Sequence, residues 1–245
     1  MEFSGKTALV TGAANGIGRA TAILLAQRGA NLVLVDMNQE KLEAVKAELG
    51  EAGGRTVCFG CDVADMEAVN AVVAQAEERF GGIDILVNNA ALWRCWASLL
   101  DTPIEDWKRF IDVNIMGVVY FTRAVLGKML EKKYGRVINV ASVAGVYGNA
   151  NMSHYSATKG AVISFTKALA KEVSHLGITV NAISPGSVSP ARTPDINYSE
   201  ETDMSFMGRT GSPRENAELI CFLASDNAGY ISGQNIQIDG CRKKQ

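Results

Sequence analysis

Lys6-Thr7-Ala8-Leu9-Val10-Thr11-Gly12-Ala13-Ala14-Asn15-Gly16-Ile17-Gly18-Arg19-Ala20 is the stretch whose reading decides the fold. Thr7 to Val10 is a short apolar run of the kind that forms a strand buried on both faces. The run breaks at Gly12, and apolar residues then return at helical spacing, at Ile17, Ala20, Leu24 and Leu25. Three glycines, Gly12, Gly16 and Gly18, fall where strand gives way to helix. Without Cβ atoms the backbone can turn sharply there, and a pyrophosphate can approach the free N–H groups of the helix start. The helix dipole adds a modest attraction for the anion. A glycine-rich turn by itself serves equally well as a plain connection. Order favours the binding reading: strand, turn and helix are followed by a second apolar run, Asn31 to Val35, that ends in Asp36. An acid at that distance can accept hydrogen bonds from the adenosine ribose of a dinucleotide.

Further along, the alternation continues. Helical spacing over Gln39–Leu49, Asp65–Phe80, Ile104–Lys132, Ser153–His175 and Pro213–Leu223 predicts helices. Short apolar runs at Thr56–Phe59, Ile83–Val87, Arg136–Val140, Ile178–Ile183 and Asn235–Ile238 predict strands. Strands and helices in alternation make an α/β protein with a doubly wound parallel sheet, Rossmann-like, in a single domain over 1–245. Residues 187–212 have no firm periodicity, which inside a compact domain suggests a substrate lid.

At 245 residues, 47% hydrophobic and a net charge of −2, the chain can bury a large core, and neither disorder nor nucleic-acid binding is favoured. No stretch reads as a membrane span, and the first predicted strand begins too early to leave room for a signal peptide. Five cysteines, an odd number, point to reduced thiols and a cytoplasmic location. Cys58 and Cys61 have the spacing of a metal or redox pair, but no second pair accompanies them and the two histidines, His154 and His175, lie far away. No metal is expected.

Tyr155 and Lys159 stand four residues apart, on one face of the predicted helix. A phenol with an ordinary pKa of about 10 is a poor base at neutral pH, and a nearby ammonium favours the phenolate. The pair suits proton exchange with an alcohol or ketone. Ser142 closes a strand, at the sheet edge where such folds bind ligands, and its hydroxyl can support charge on a substrate oxygen. Asn114 is an awkward residue for the middle of a helix. His154 is a candidate wall residue beside a pocket, and Trp93, Trp96, Tyr147, Met152, Met204 and Phe206 are either pocket or packing residues.

The Gly-x-x-x-Gly-x-Gly spacing, Asn88-Asn89-Ala90, the series Asn114, Ser142, Tyr155, Lys159 and the pair Pro185-Gly186 together resemble the short-chain dehydrogenases/reductases over essentially the whole chain. The resemblance implies a catalytic tetrad of Asn114, Ser142, Tyr155 and Lys159, with Asn114 supporting a water-linked proton path. It also implies dinucleotide contacts from Gly12, Asn15, Gly16, Ile17, Gly18, Asp36, Asp62, Val63, Asn89, Tyr155, Lys159, Pro185, Gly186 and Val188. Two departures stand out. Pro190 occupies the place where the family often has a carboxamide-binding Thr, with Ser189 and Thr193 close by, and the usual closing Asp-Gly-Gly reads Asp239-Gly240-Cys241. The implied activity is interconversion of a small-molecule secondary alcohol and a ketone with NAD. The alternatives are an NADPH-dependent 3-oxoacyl-carrier-protein reductase and a catalytically silent dinucleotide sensor. A homotetramer is expected, through apolar residues such as Val118, Phe121, Val125, Val162, Phe165 and Leu169.

Overall fold

A computed structural model describes residues 1–94, 96–189 and 195–243. Among these residues, seven parallel strands form one sheet: β1 (Thr7–Thr11), β2 (Asn31–Asp36), β3 (Thr56–Gly60), β4 (Ile85–Asn88), β5 (Gly135–Val140), β6 (Ile178–Pro185) and β7 (Asn235–Ile238). Their order is β3-β2-β1-β4-β5-β6-β7. The direction of winding therefore reverses between β1 and β4, and a crevice opens there beyond the strands' carboxyl ends. The register is regular, with Leu9 beside Val33 and Leu86, and Asn88 beside Asn139.

Among the described residues, eight α-helices connect the strands: α1 (Gly16–Gln27), α2 (Gln39–Glu48), α3 (Met66–Phe80), α4 (Ile104–Ile111), α5 (Gly117–Lys132), α6 (Val143–Tyr147), α7 (Ser153–Val173) and α8 (Pro213–Ala224). Alternate strand residues serve opposite faces. Ala8, Val10, Leu32 and Leu34 pack with Leu25, Leu42 and Ile220 of α1, α2 and α8. Leu9, Val33, Val35 and Leu86 pack with Val69, Phe121 and Leu169 of α3, α5 and α7. Burial on both faces is why the strands read as continuous apolar runs rather than alternating ones. Helix starts follow local chemistry. Asp65 accepts the N–H groups of Glu67 and Ala68 ahead of α3, while Ser212 and Glu215 form a reciprocal capping box at α8 with Pro213 in its first turn.

Three expectations change. The helix predicted over Ile104–Lys132 is interrupted by a π-helical turn, Asp112–Met116, that contains Asn114. Ile104–Lys132 is also long and apolar enough to span a bilayer by length and composition, contrary to the sequence reading. Phe121, Val125 and Met129 are nevertheless fully buried beneath the sheet, so this apolarity belongs to the core. The apolar residues offered for a subunit contact are consumed in the same way. Val118, Phe121, Val125, Val162 and Leu169 are buried within the chain and Phe165 is half-buried.

Candidate active site

The glycine turn is a close approach of three backbones. A Cβ on Gly18 would lie 2.1 Å from the Gly12 carbonyl oxygen and 2.6 Å from Asn89 Nδ2, while Gly12 itself has φ +64°. Asn89 donates to the carbonyls of Thr11 (3.0 Å) and Gly12 (3.1 Å), and Thr11 Oγ1 accepts the N–H groups of Asn89 and Ala90, each at 3.0 Å. The end of β4 thereby braces the end of β1. Asn15 stands at the N-cap of α1 without a side-chain capping bond, and the first turn, Gly16-Ile17-Gly18, carries no acid. Uncapped N–H groups beside a cradle that any side chain would fill fit a pyrophosphate.

Asp36, at the end of β2, leans into this turn. One carboxylate oxygen accepts Ala14 N–H (3.2 Å) and the other accepts Asn38 N–H (3.1 Å). The cap of α2 is Asn38, whose side chain accepts Lys41 N–H. Asp62 accepts Ala64 N–H (3.0 Å) and pairs with Arg109 of α4 (2.7 Å). Burial works against its charge, and the Ala64 N–H and the Arg109 guanidinium together hold the carboxyl below its ordinary range. Its neighbour Val63 is buried against α3 and α5. Arg109 carries no motif and was missed in the sequence.

On the other side of the switch point, β5 delivers Ser142. Its Oγ accepts Ala144 N–H (3.1 Å) and so caps α6, a short helix the sequence reading did not include. Gly145 in that helix allows α6 to lie directly on α7, since a Cβ there would meet the Lys159 carbonyl carbon at 2.5 Å. Ser142 stands close enough to the Tyr155 phenol to pull its pKa downward. Lys159 is 3% exposed, and its Nζ donates to the Val140 carbonyl (2.6 Å) while lying 5.9 Å from the Tyr155 ring centroid.

The expected electrostatics change as a result. Burial holds the Tyr155 phenol above its ordinary value, and the opposing pull comes from Ser142. Burial also pushes Lys159 down, to about 8. Its ammonium donates to a backbone carbonyl rather than to the Tyr155 hydroxyl. Asn114 is fully buried; its side chain accepts Leu92 N–H (2.8 Å) and donates to the Leu92 carbonyl (2.9 Å) and Thr158 Oγ1 (3.1 Å). It fixes the backbone after β4 to the helix that carries Tyr155, which explains a polar residue inside an apolar helix.

Pro185 ends β6, Gly186 N–H donates to the Ile238 carbonyl (3.0 Å), and Val188 pairs with Gly211. Ser189 is buried against Thr210, whereas Pro190, Thr193 and Cys95 lie outside the described residues. His154 is neither a pocket wall nor solvent-facing. It is fully buried, edge-on to Phe110 (4.4 Å between centroids) and Trp107 (5.9 Å). Trp93 and Trp96 are exposed instead of packed, and Tyr147 donates to Gln237 (2.6 Å). Cys58 and Cys61 are free thiols, both raised to about 11 chiefly by burial.

The family model for short chain dehydrogenase matches residues 6–201. The 3-oxoacyl-[acyl-carrier-protein] reductase FabG of Thermotoga maritima is 40% identical over 243 residues, 98% of each chain. The 3-oxoacyl-[acyl-carrier-protein] reductase of Synechocystis is 41% identical over 240 residues, 97% of each. A solved NAD+-bound xylitol dehydrogenase superposes with a TM-score of 0.90 at 36% identity, covering 98% of this chain and 100% of the other. The chain belongs to the short-chain dehydrogenase/reductase family. It is an oxidoreductase that works with a nicotinamide dinucleotide.

Proposed function

We propose that the chain interconverts a carbonyl and a secondary alcohol, with NAD(H) as its dinucleotide and a 3-oxoacyl thioester as its substrate class. The observation that carries the chemistry is the placement of Ser142 beside Tyr155 at the sheet edge, with the buried Lys159 behind them. The names of the curated relatives favour the 3-oxoacyl thioester over the general alcohol suggested by the residues alone. Asp36 favours NAD, because Arg19, the basic side chain nearest the turn in sequence, is engaged with Glu48 of α2.

The glycine turn would hold the pyrophosphate, Asp36 the adenosine ribose, Asp62 and Val63 the adenine side, and Pro185 to Val188 the nicotinamide side. When bound, the nicotinamide supplies or accepts the hydride. Ser142 holds the substrate oxygen, and Tyr155 gives that oxygen its proton as negative charge builds there. Lys159 holds positive charge beside the phenol and the ribose, and Asn114 keeps the Leu92 backbone and α7 in register with them. A catalytically silent sensor would have no use for this arrangement. Residues 187–212 would cover the substrate. A cytoplasmic homotetramer is proposed as the working form; exposed Trp96, Leu99, Leu100 and Ile104 before and at the start of α4 are its candidate contact.

Initial rates with acetoacetyl-CoA, acetoacetyl-carrier protein, xylitol and ribitol, each with both dinucleotides, test the reading. Turnover of the thioesters with NADH supports it. Turnover of only the polyols with NAD would carry a second reading, polyol dehydrogenase, favoured by the likeness to the NAD+-bound xylitol dehydrogenase.

A further inference from the structure

Beyond β7 the chain reverses and lies against the segment between β6 and α8. Lys243 N–H donates to the Met204 carbonyl (2.9 Å), Phe206 N–H to Cys241 (2.9 Å) and Met207 N–H to Gly240 (3.2 Å), with Ser205 opposite Arg242 in an antiparallel pair. The reversal uses a left-handed Gly240 followed by a left-handed Cys241, at φ +57°. A non-glycine residue holds that conformation only where surrounding contacts impose it. Arg242 then reaches across, its Nη2 donating to Asn149 Oδ1 (3.1 Å) in the loop between α6 and α7. Asn149 N–H donates in turn to Ser156 Oγ (3.1 Å), one residue past Tyr155. Lys243 also lies 5.6 Å from the Phe206 ring centroid.

Three segments that are separate in sequence, 147–156, 204–207 and 239–243, thus meet: backbone hydrogen bonds join the last two, and the Arg242 guanidinium ties them to the first. We infer that Arg242 is a positioning residue, which straps Met204–Met207 to the start of the Tyr155 helix and thereby sets substrate affinity. The inference rests on the proposed reading of Tyr155 and of the segment 195–212 as a substrate cover. Among the described residues, the strap makes no contact with the glycine turn or Asp36, the proposed holders of the pyrophosphate and the adenosine ribose.

Three proteins test it: Arg242→Ala, Arg242→Lys and a chain ended after Cys241. Hydrogen exchange at the Phe206 and Met207 amides, measured without substrate, is expected to quicken roughly tenfold in Arg242→Ala, the usual worth of a charge-assisted hydrogen bond. It should quicken more in the shortened chain and recover in part in Arg242→Lys. With substrate, KM should rise roughly five- to tenfold for Arg242→Ala. The same variant should keep kcat within about twofold and dinucleotide Kd unchanged, since the group is assigned no part in the chemical step. Unchanged exchange in both Arg242→Ala and the shortened chain would overturn the strap. Quickened exchange with unaltered KM, or a joint fall of kcat and dinucleotide affinity, would overturn its role with substrate. If none of the carbonyls is turned over, the proposed function fails, and the exchange measurement still decides the strap.

Discussion

Asp36 gives the sharpest test of how the cofactor is chosen. Its two oxygens are fixed by Ala14 N–H at 3.2 Å and Asn38 N–H at 3.1 Å, so the carboxylate cannot swing away without losing both donors. A 2′-phosphate on the adenosine ribose would bring like charge against it. At ~4 Å and an effective dielectric of ~20 that contact costs about 4 kcal/mol. Salt and relaxation reduce it to roughly 2–3 kcal/mol, and each 1.4 kcal/mol is tenfold, so NAD(H) should be preferred by roughly thirty- to a hundred-and-fortyfold in kcat/KM. Arg19 could offset the repulsion only by leaving Glu48. The double change Asp36→Ala with Met37→Arg removes the repulsion and adds a cation. Met37 is 69% exposed, so an arginine there stays in water and buries no charge. The change also strips two N–H groups of their acceptor, at about 1 kcal/mol each, so kcat/KM with NADH should fall roughly tenfold or more while that with NADPH rises. Initial rates with both dinucleotides at one ionic strength provide the assay. Equal use of the two by the unmodified chain, or an unaltered ratio in the variant, would refute the reasoning.

Replacing Tyr155 with Phe removes the proton donor and keeps the ring; kcat should drop by at least ~10²-fold while dinucleotide Kd, read by fluorescence, stays put. Lys159 is held at about 8, below its ordinary value, so the unfolded chain binds more protons between about 8 and 10.5. The group should therefore add stability as pH rises through that window, an increment absent from Lys159→Met in denaturation measured across pH. Over the same pH range the loss of the ammonium should weaken dinucleotide binding, and a flat Kd from pH 7 to about 9.5 would remove Lys159 from the ribose. Asn88 joins Asn139 (2.9 Å) and Thr122 (3.2 Å) beneath the sheet, and Asn139 continues to Thr166 (2.9 Å). Asn88→Ala leaves buried acceptors unmatched and should cost about 2–3 kcal/mol in chemical denaturation; a loss under ~0.5 kcal/mol would show that the ladder contributes little.

The strands, the order of helices and the dinucleotide turn were legible in the sequence because each is a local pattern. An apolar run bounded by glycine, or a period of 3.6, needs no distant partner to be recognised. The candidate tetrad came from the family resemblance, which implies Asn114, Ser142, Tyr155 and Lys159 as a set. Tertiary structure decided what those groups touch. It turned Lys159 towards the Val140 carbonyl, gave Ser142 a cap to make and a phenol to meet, and set Arg109 against Asp62 across 47 residues. It broke the long helix at Asn114 to satisfy Leu92, and it buried His154 in an aromatic slot. Arg242 found Asn149 across 93 residues, and neither residue carries a motif. The physical reason is the same in each case. Propensity and periodicity act over a few residues, whereas desolvation and hydrogen-bond partners depend on which distant segments the sheet order brings together.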